Sequence, residues 1–452
     1  MPILKFIHTA DLHLGSIVHS NGQLPEKIYQ KLINAANQAF KNICDFAIAE
    51  KVNFLLLSGD IYDHKSPSVL ASMFFNQQCS RLKQAGINVY MIGGNHDPQQ
   101  NRQELSEVAD NIFLFGSEQV GREDVYDANG NLIARILGQS YRGPAESRKT
   151  YTAFSVPDKS VFNIGLLHTQ LDPQNNNYLP CSLKDLLAQD GINYWALGHI
   201  HQTRLLYHAK SRAVAYSGTP QGRDVGEEGP GGALLVEVAA NMAIKISYIP
   251  TSTIIWKNIE LELEQIQSKG PVNLTDLKNI LISKGETILS SRPEIPENFT
   301  WQGKDFTEII QGYMIRWNLK GRGKINQVFE EQGEEAVMYL KEELQNYFSN
   351  RSPFIWTDSI FVRTANPLPT LLELKEKSQL FTEIEQFITL CTTDQTVKSQ
   401  LIDQMGRVWT GNIDHESYSD TRFQVDDFDL REIIKQAEQL IIEAVLSRRE
   451  LL

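Results

Sequence analysis

The sequence predicts an α/β protein with a smaller α+β region and a mostly helical stretch after it. Three observations predict it. Within residues 1–255, apolar runs too short for helices alternate with longer segments of three-to-four apolar spacing. Those runs end repeatedly in Asp, Asn or His. The character of the chain then changes near Ile255 and again after Pro367 and Pro369, which divides it into residues 1–255, 256–365 and 366–452.

Residues 5–9 are the first strand, followed by Ala10-Asp11-Leu12-His13. A helix is expected over residues 25–50, with Ile28, Leu32, Ala35, Ala39, Ile43 and Phe46 as its buried stripe. Phe54 to Leu57 is an apolar strand that ends in Ser58-Gly59-Asp60. Ser66 and Pro67 suit the start of the next helix, as N-cap and first-turn residue, and that helix ends near Gly86. Residues 88–92 form a strand running into Gly93-Gly94-Asn95-His96-Asp97. Asn129-Gly130 is a hairpin turn. Residues 160–167 are a strand ending in His168, and residues 193–197 a strand ending in Gly198-His199-Ile200-His201. A strand at 213–216, the Gly- and charge-rich loop GRDVGEEGPGG and a closing hairpin over 233–238 and 243–249 follow. Beyond Ile255, strands at 259–263, 309–319 and 359–363 and helices at 273–283 and 334–347 read as a small α+β unit.

The composition is that of an ordinary globular chain, 41% hydrophobic and 22% charged. No run reaches the length of a membrane span, and the N-terminal residues read as a strand, not a signal peptide. Cys44, Cys79, Cys181 and Cys391 form no CxxC, which argues against a disulfide framework or a structural zinc site and makes a reducing cytoplasm the expected setting. The formal net charge is −12, which counts against a protein that binds nucleic acid through a broadly basic surface. It leaves room for a nuclease whose bound cations meet the phosphates.

The strand-end residues make one constellation: Asp11 and His13, Asp60, Asn95, His168, His199 and His201. Carboxylate, amide oxygen and imidazole without thiolate suit Mn²⁺, Mg²⁺, Fe or Zn²⁺. The set is too large for one open catalytic ion and suits a pair that clamps a phosphoryl group during in-line displacement. Asp60, single and central, is the candidate bridge. Residues two apart in an extended chain point to the same side, so Asp11 with His13, and His199 with His201, can act together. His8, His19, His208 and His415 stand outside the pattern and read as structural.

The ordered motifs DLH, GDIYD, GNHD, His168 and GHIH resemble those of the calcineurin-like metallophosphoesterase superfamily. IHTADLHLGS, GDIYDHKSPS and YSGTPQGRDVGEEGPGG are more closely similar to SbcD-type DNA repair exonucleases, the last stretch to their YhaO-like branch. The resemblance implies a β-sandwich flanked by helices, with a smaller α+β capping domain that shapes a DNA site. It implies two divalent ions, Mn²⁺ foremost, one held by Asp11, His13, Asp60 and His201, the other by Asp60, Asn95, His168 and His199. His96 matches the catalytic histidine, with Asp97 placed to orient it. Part of the family carries histidine three residues after the bridging Asp; here that position is Asp63, and His64 follows. The implied activity is DNA exonuclease and endonuclease cleavage by a metal-activated hydroxide, in a dimer with an SbcC-like (here YhaN-like) coiled-coil ATPase. The alternative is a metallophosphoesterase acting on nucleotides or phosphoproteins, which has no need of residues 256–452. A non-enzymatic scaffold for the ATPase would have no need of the full ligand set.

Arg316, Lys320, Arg322 and Lys324, with Trp317 interleaved, form the most basic stretch and are the candidate DNA contacts. Residues 429–452 are an amphipathic helix, with Leu430, Ile434, Ala437, Ile441 and Ala444 on one face. The helix suits either packing on its own domain or docking of the ATPase.

Overall fold

The computed structural model describes residues 3–16, 20, 22–63, 68–101, 109–156, 158–266, 270–303, 305–367, 379–404, 433–434, 436–438 and 440–441. The chain divides into two compact units. One comprises Met1–Glu262, Asn273–Lys320 and Val328–Arg363; the other comprises Leu263–Val272, Gly321–Gln327 and Thr364–Leu452.

The first unit opens with β1 (Leu4–Thr9), α1 (Glu26–Ile33), α2 (Ala35–Glu50), β2 (Phe54–Ser58), α3 (Val69–Gln84), β3 (Asn88–Ile92) and β4 (Ile112–Leu114). The chain then builds a second sheet from β5 (Gly121–Tyr126), β6 (Leu132–Gly138), β7 (Phe162–His168), α4 (Leu183–Ala188), β8 (Tyr194–Gly198), β9 (Arg204–Ala209) and β10 (Arg212–Tyr216). It returns to the first sheet through the hairpin β11 (Gly232–Val238) and β12 (Ile244–Pro250). Next come β13 (Ile254–Glu262), α5 (Leu274–Ser290), β14 (Thr300–Trp301), α6 (Phe306–Ile309), β15 (Gly312–Arg322), α7 (Asn326–Gln332), α8 (Glu334–Phe348) and β16 (Phe354–Ala365). The three sheets run β14-β12-β11-β1-β2-β3-β4, β5-β6-β7-β8-β10-β9 and β13-β15-β16. The second unit contains the helices Gln379–Thr393 and Gln395–Gln404.

The two large sheets face each other across one core. Side chains alternate along a strand, and β2 shows the consequence. Phe54 and Leu56 join Phe6, Phe162, Ile164 and Tyr194 between the sheets, while Leu55 and Leu57 join Phe40, Ile43, Phe75 and Leu82 beneath α2 and α3. On the far face of the second sheet, Trp195, Leu197 and Tyr216 pack with Tyr141, Phe154 and Leu186. The first unit is therefore built on a β-sandwich flanked by helices, as the family resemblance implies.

Two local expectations change. The helix predicted over residues 25–50 is two helices, broken at Asn34, whose side-chain amide donates to the Gln30 carbonyl and so competes with the backbone ladder. The break divides one apolar stripe between two surfaces. Phe40, Ile43 and Ala47 cover the first sheet, whereas Ile28 and Leu32 pack on Trp256, Met314 and Trp356 of the three-stranded sheet. The N-cap of α3 is Ser68, whose hydroxyl accepts from Ala71 N at 3.2 Å, not Ser66.

His8 is buried inside the sandwich, its Nδ1 3.0 Å from the Tyr194 hydroxyl. Burial pushes it down to about 3, against a smaller opposing backbone contact from Leu197. Because its folded value lies below the ordinary 6.5, the unfolded chain takes up the proton first. The stability due to a neutral His8 is complete above about 6.5 and is lost as the pH falls towards 3. Urea unfolding at neutral and mildly acidic pH should show a smaller pH-dependent loss of midpoint in His8→Gln than in the parent chain.

Candidate metal centre

Each ligand-type residue stands at the carboxyl end of a strand. Asp11 and His13 follow β1, Asp60 follows β2, Asn95 and His96 follow β3, His168 closes β7, and His199 and His201 follow β8. Strands β1, β2 and β3 are parallel neighbours in one sheet, and β7 and β8 are parallel neighbours in the other. Parallel strands deliver their ends to one edge, which is where open α/β sheets gather ligands.

The groups collect on either side of Asp60. On one side, His13 Nε2 lies 3.2 Å from His201 Nε2, and His201 Nε2 lies 3.8 Å from Asp11 Oδ1. On the other, Asn95 Oδ1 lies 3.0 Å from His168 Nε2 and 3.1 Å from His199 Nδ1. Asp60 Oδ2 stands between them, 3.8 Å from His13 Nε2 and 3.4 Å from His168 Nε2. Three triads of donor atoms meet closely enough to hold an ion: Asp11, His13 and His201; His13, Asp60 and His96; and Asp11, Asp60 and His168.

The backbone is shaped to allow this convergence. Asp11, His13, Asp60 and His199 all take left-handed φ, at 53°, 44°, 54° and 97°. Such strain costs about 1–3 kcal/mol per residue and persists only where the surroundings impose it. Glycine removes the remaining steric bars. A Cβ on Gly59 would meet His168 Nδ1 at 2.5 Å, and one on Gly94 would overlap Asp60 Oδ1 and meet the His168 ring at 2.8 Å. The Asp97 carboxylate accepts from the backbone N–H groups of Asp60 (3.1 Å), Ile61 (2.9 Å) and Gly94 (2.8 Å), which ties the β2 and β3 loops together.

Electrostatics set the proton states. Burial pushes Asp60 up, but His168 above all, then His13 and His96, outweigh it and hold the carboxyl well below the usual carboxylate range. Burial raises Asp11 to about 6. His168, opposed by burial but facing Asp60, rises to about 9, while burial lowers His13 and takes His199 to about 3. Nδ1 of His168 donates to the Ser58 carbonyl at 2.8 Å, which leaves Nε2 for an ion. Taking up an ion there would displace the Nε2 proton, so metal binding is linked to proton release. The donor set and the glycine-lined cradle both fit divalent ions of the Mn²⁺, Fe or Zn²⁺ kind.

Several neighbours were not legible beforehand. The carboxylate facing the His96 ring is that of Asp63, 3.4 Å from Nδ1, whereas the sequence pairs His96 with Asp97. Asp97 acts on the backbone of the loop. Glu227 Oε1 lies 2.5 Å from His201 Nδ1, and Arg223 holds that carboxylate; neither had a spacing that marked it within the charge-rich loop. Tyr178 lies over the His199 ring at 4.4 Å. His208 Nε2 donates to the Ile244 carbonyl at 3.0 Å, a structural group as expected. His19, His64 and His415 lie outside the described residues, as does most of the helix expected over 429–452.

Of the four expected DNA contacts, three have protein partners. Arg316 donates to Ser359 and lies over Phe361, Lys320 pairs with Glu260, and Arg322 donates to the Asn366 carbonyl. Lys324 is exposed.

Residues 4–203 match the calcineurin-like phosphoesterase family. The chain is 34% identical over 279 residues to YhaO of Bacillus subtilis (strain 168), an uncharacterized metallophosphoesterase, covering 61% of this chain and 65% of that one. It is 27% identical over 224 residues to the DNA double-strand break repair protein Mre11 of Methanocaldococcus jannaschii, covering 48% and 57%. It is 30% identical over 95 residues to the SbcD component of the nuclease SbcCD of Escherichia coli (strain K12), covering 21% of each. The matches thus span less than two thirds of each relative's length. Residues 4–203 make up a calcineurin-like metallophosphoesterase domain.

No described helix is long and apolar enough to cross a membrane. The steric argument makes one sharp prediction. Gly94→Ala places a methyl group against Asp60 and His168 and should weaken Mn²⁺ binding at least about tenfold, the lower end of the loss seen when ligand support is disturbed. Calorimetric titration of the purified chain checks it.

Proposed function

We propose that this metallophosphoesterase is a two-metal-dependent DNA nuclease that hydrolyses phosphodiester bonds as an exonuclease and endonuclease of DNA repair. The observation that carries the reading is Asp60 set between two ligand clusters, beside a partly exposed His96, with His201 on the wall of a cleft of about 1210 Å³. The cleft is larger than the roughly 300–1,000 Å³ of an ordinary small-ligand pocket. The likeness to a break repair protein and to a nuclease component supports DNA as the polymer.

In this reading one ion would be held by Asp11, His13, Asp60 and His201 and the other by Asp60, Asn95, His168 and His199. When bound, the pair activates water and neutralises charge on the phosphoryl oxygens. His96 is the proton donor to the leaving oxygen. Asp63 beside Nδ1 favours a proton on that nitrogen and leaves Nε2 to exchange with the substrate. Asp97 acts as a positioning residue through the three backbone N–H groups it fixes.

The cleft also supplies a path for the strand. Arg204, Lys257 and Lys284 lie on its wall, within the same compact unit as the metal centre. They complement or replace Arg316, Lys320, Arg322 and Lys324 as DNA contacts. A second copy of the chain and an SbcC-like, YhaN-like ATPase complete the assembly, and the 366–452 region is the natural docking element. The alternative substrate class is nucleotides or phosphoproteins; Glu228, Glu294 and Glu297 share the cleft wall with the cations and oppose a polyanion there.

Purified protein with Mn²⁺ should degrade end-labelled duplex or single-stranded DNA, and His96→Ala should lower the rate about 10²–10⁴-fold, the usual contribution of a general acid. Cleavage of a generic phosphodiester without cleavage of DNA would reject the nuclease reading. Reversing two cleft cations, in Lys257→Glu with Lys284→Glu, should reduce the slope of log affinity against log salt by about 0.9 for each phosphate no longer neutralised. The same measurement on Arg322→Glu with Lys324→Glu tests the other path.

A further inference from the structure

We propose that Glu227 is the positioning residue for His201, and that it sets the affinity for one divalent cation of the pair. The proposal rests on the reading of the site as a metal centre, and not on DNA as the substrate.

His201 is a candidate ligand that needs a brace. Its side chain is 27% exposed, whereas those of Asp11 and His13 are fully buried. It lies beyond the end of β8, in a loop, and an imidazole there is free to swing unless its second nitrogen is held. His168, its counterpart on the other side of Asp60, is held by the Ser58 carbonyl. For His201 the holder is a carboxylate, with Glu227 Oε1 2.5 Å from Nδ1.

The proton on that nitrogen can be assigned from the neighbours. Nδ1 also lies 3.3 Å from Arg223 Nη2, and a guanidinium only donates. The shorter contact to the carboxylate decides the matter. Nδ1 carries the hydrogen and donates it to Glu227, so Nε2, which faces Asp11 and His13, is the nitrogen left for an ion. Glu227 is itself fixed. Arg223 donates to it from Nη2 at 2.8 Å and from its backbone N at 2.8 Å. The guanidinium balances the charge, so a carboxylate that is 13% exposed stands without a net buried charge. A charged acceptor behind an imidazole also raises its strength as a ligand more than a neutral carbonyl does.

The loop that carries the pair is anchored to the site. Thr219 N donates to the His201 carbonyl at 2.9 Å, and the Thr219 hydroxyl donates to the Asp11 carbonyl at 2.9 Å. Glu227 therefore approaches His201 on a fixed frame.

The test is Mn²⁺ titration of the full chain by calorimetry and by electron paramagnetic resonance. The parent chain should take up two ions. Glu227→Ala should weaken one of them about 10–100-fold, as expected when the support behind a ligating histidine is removed, and leave the other unchanged. Glu227→Gln should lie between, since its amide oxygen still accepts but carries no charge. In a His201→Ala background, Glu227→Ala should add no further loss, which a merely structural role would not reproduce. Unchanged affinities in Glu227→Ala, or equal loss at both sites, would overturn the proposal. If Glu227→Ala does not fold, ¹⁵N spectra of the metal-free parent chain decide it: a His201 ring protonated on Nε2 alone overturns the assignment. A parent chain that binds no Mn²⁺ would sink the metal centre itself. DNA cleavage enters none of these readouts, so failure of the nuclease reading and failure of this proposal remain separable.

Discussion

The architecture depends on keeping two carboxylates, Asp11 and Asp60, buried side by side at the edge of a sandwich. A buried, unpaired anion is costly, and here two of them feel each other's charge. Each is met by what the surrounding loops bring. Asp11 accepts from His199 N at 3.0 Å, and Asp60 accepts from His96 N at 2.9 Å, while imidazoles close in from both sheets. The glycines at 59 and 94, the left-handed turns at Asp11, His13, Asp60 and His199, and the three backbone bonds of Asp97 all serve that convergence. Burial, with Asp60 nearby, raises Asp11 to about 6.

Much of this was legible because the ligand types sit at the ends of apolar strands. Phe54–Ser58 followed by Gly59 and Asp60 announces both a buried strand and a polar group at its tip, and the same pattern recurs at His168 and at His199 with His201. Strand alternation then divides Phe54 and Leu56 from Leu55 and Leu57 without further information. What sequence could not supply was any pairing set by distant packing. Asp63 and Asp97 are both candidate carboxylates for His96, and only the folded loop decides that Asp63 faces the ring while Asp97 turns to the backbone. Arg223 and Glu227 lie in a loop among other charged residues and glycines, and no period marks Glu227 as the acid of that loop that reaches His201 Nδ1.

The break at Asn34 shows a different limit. The apolar stripe from Ile28 to Phe46 is continuous at helical spacing, so periodicity predicts one helix. It cannot show that two surfaces share the stripe. Ile28 and Leu32 belong to the core under the β13-β15-β16 sheet, and Phe40 and Ile43 to the core under the first sheet. A single straight helix would leave one of these surfaces uncovered, and Asn34, a residue whose side chain competes for backbone hydrogen bonds, is where the axis changes.

The loop after β10 joins these themes. Gln221 holds the start of β13 through its side chain, accepting from Thr253 N at 2.9 Å and donating to the Ile254 carbonyl at 2.7 Å. Trp256 donates to the Gly222 carbonyl at 3.1 Å, and Gly229 N donates back to the Trp256 carbonyl at 3.1 Å. The same stretch sends Thr219 to Asp11 and Glu227 to His201. One loop is therefore bonded both to the strand-end cluster and to the sheet that α1 covers. The Ser58 carbonyl that holds His168 belongs instead to a central strand with neighbours on both sides. The half of the cluster that contains His201 is thus the one bonded, through this loop, to the β13-β15-β16 sheet.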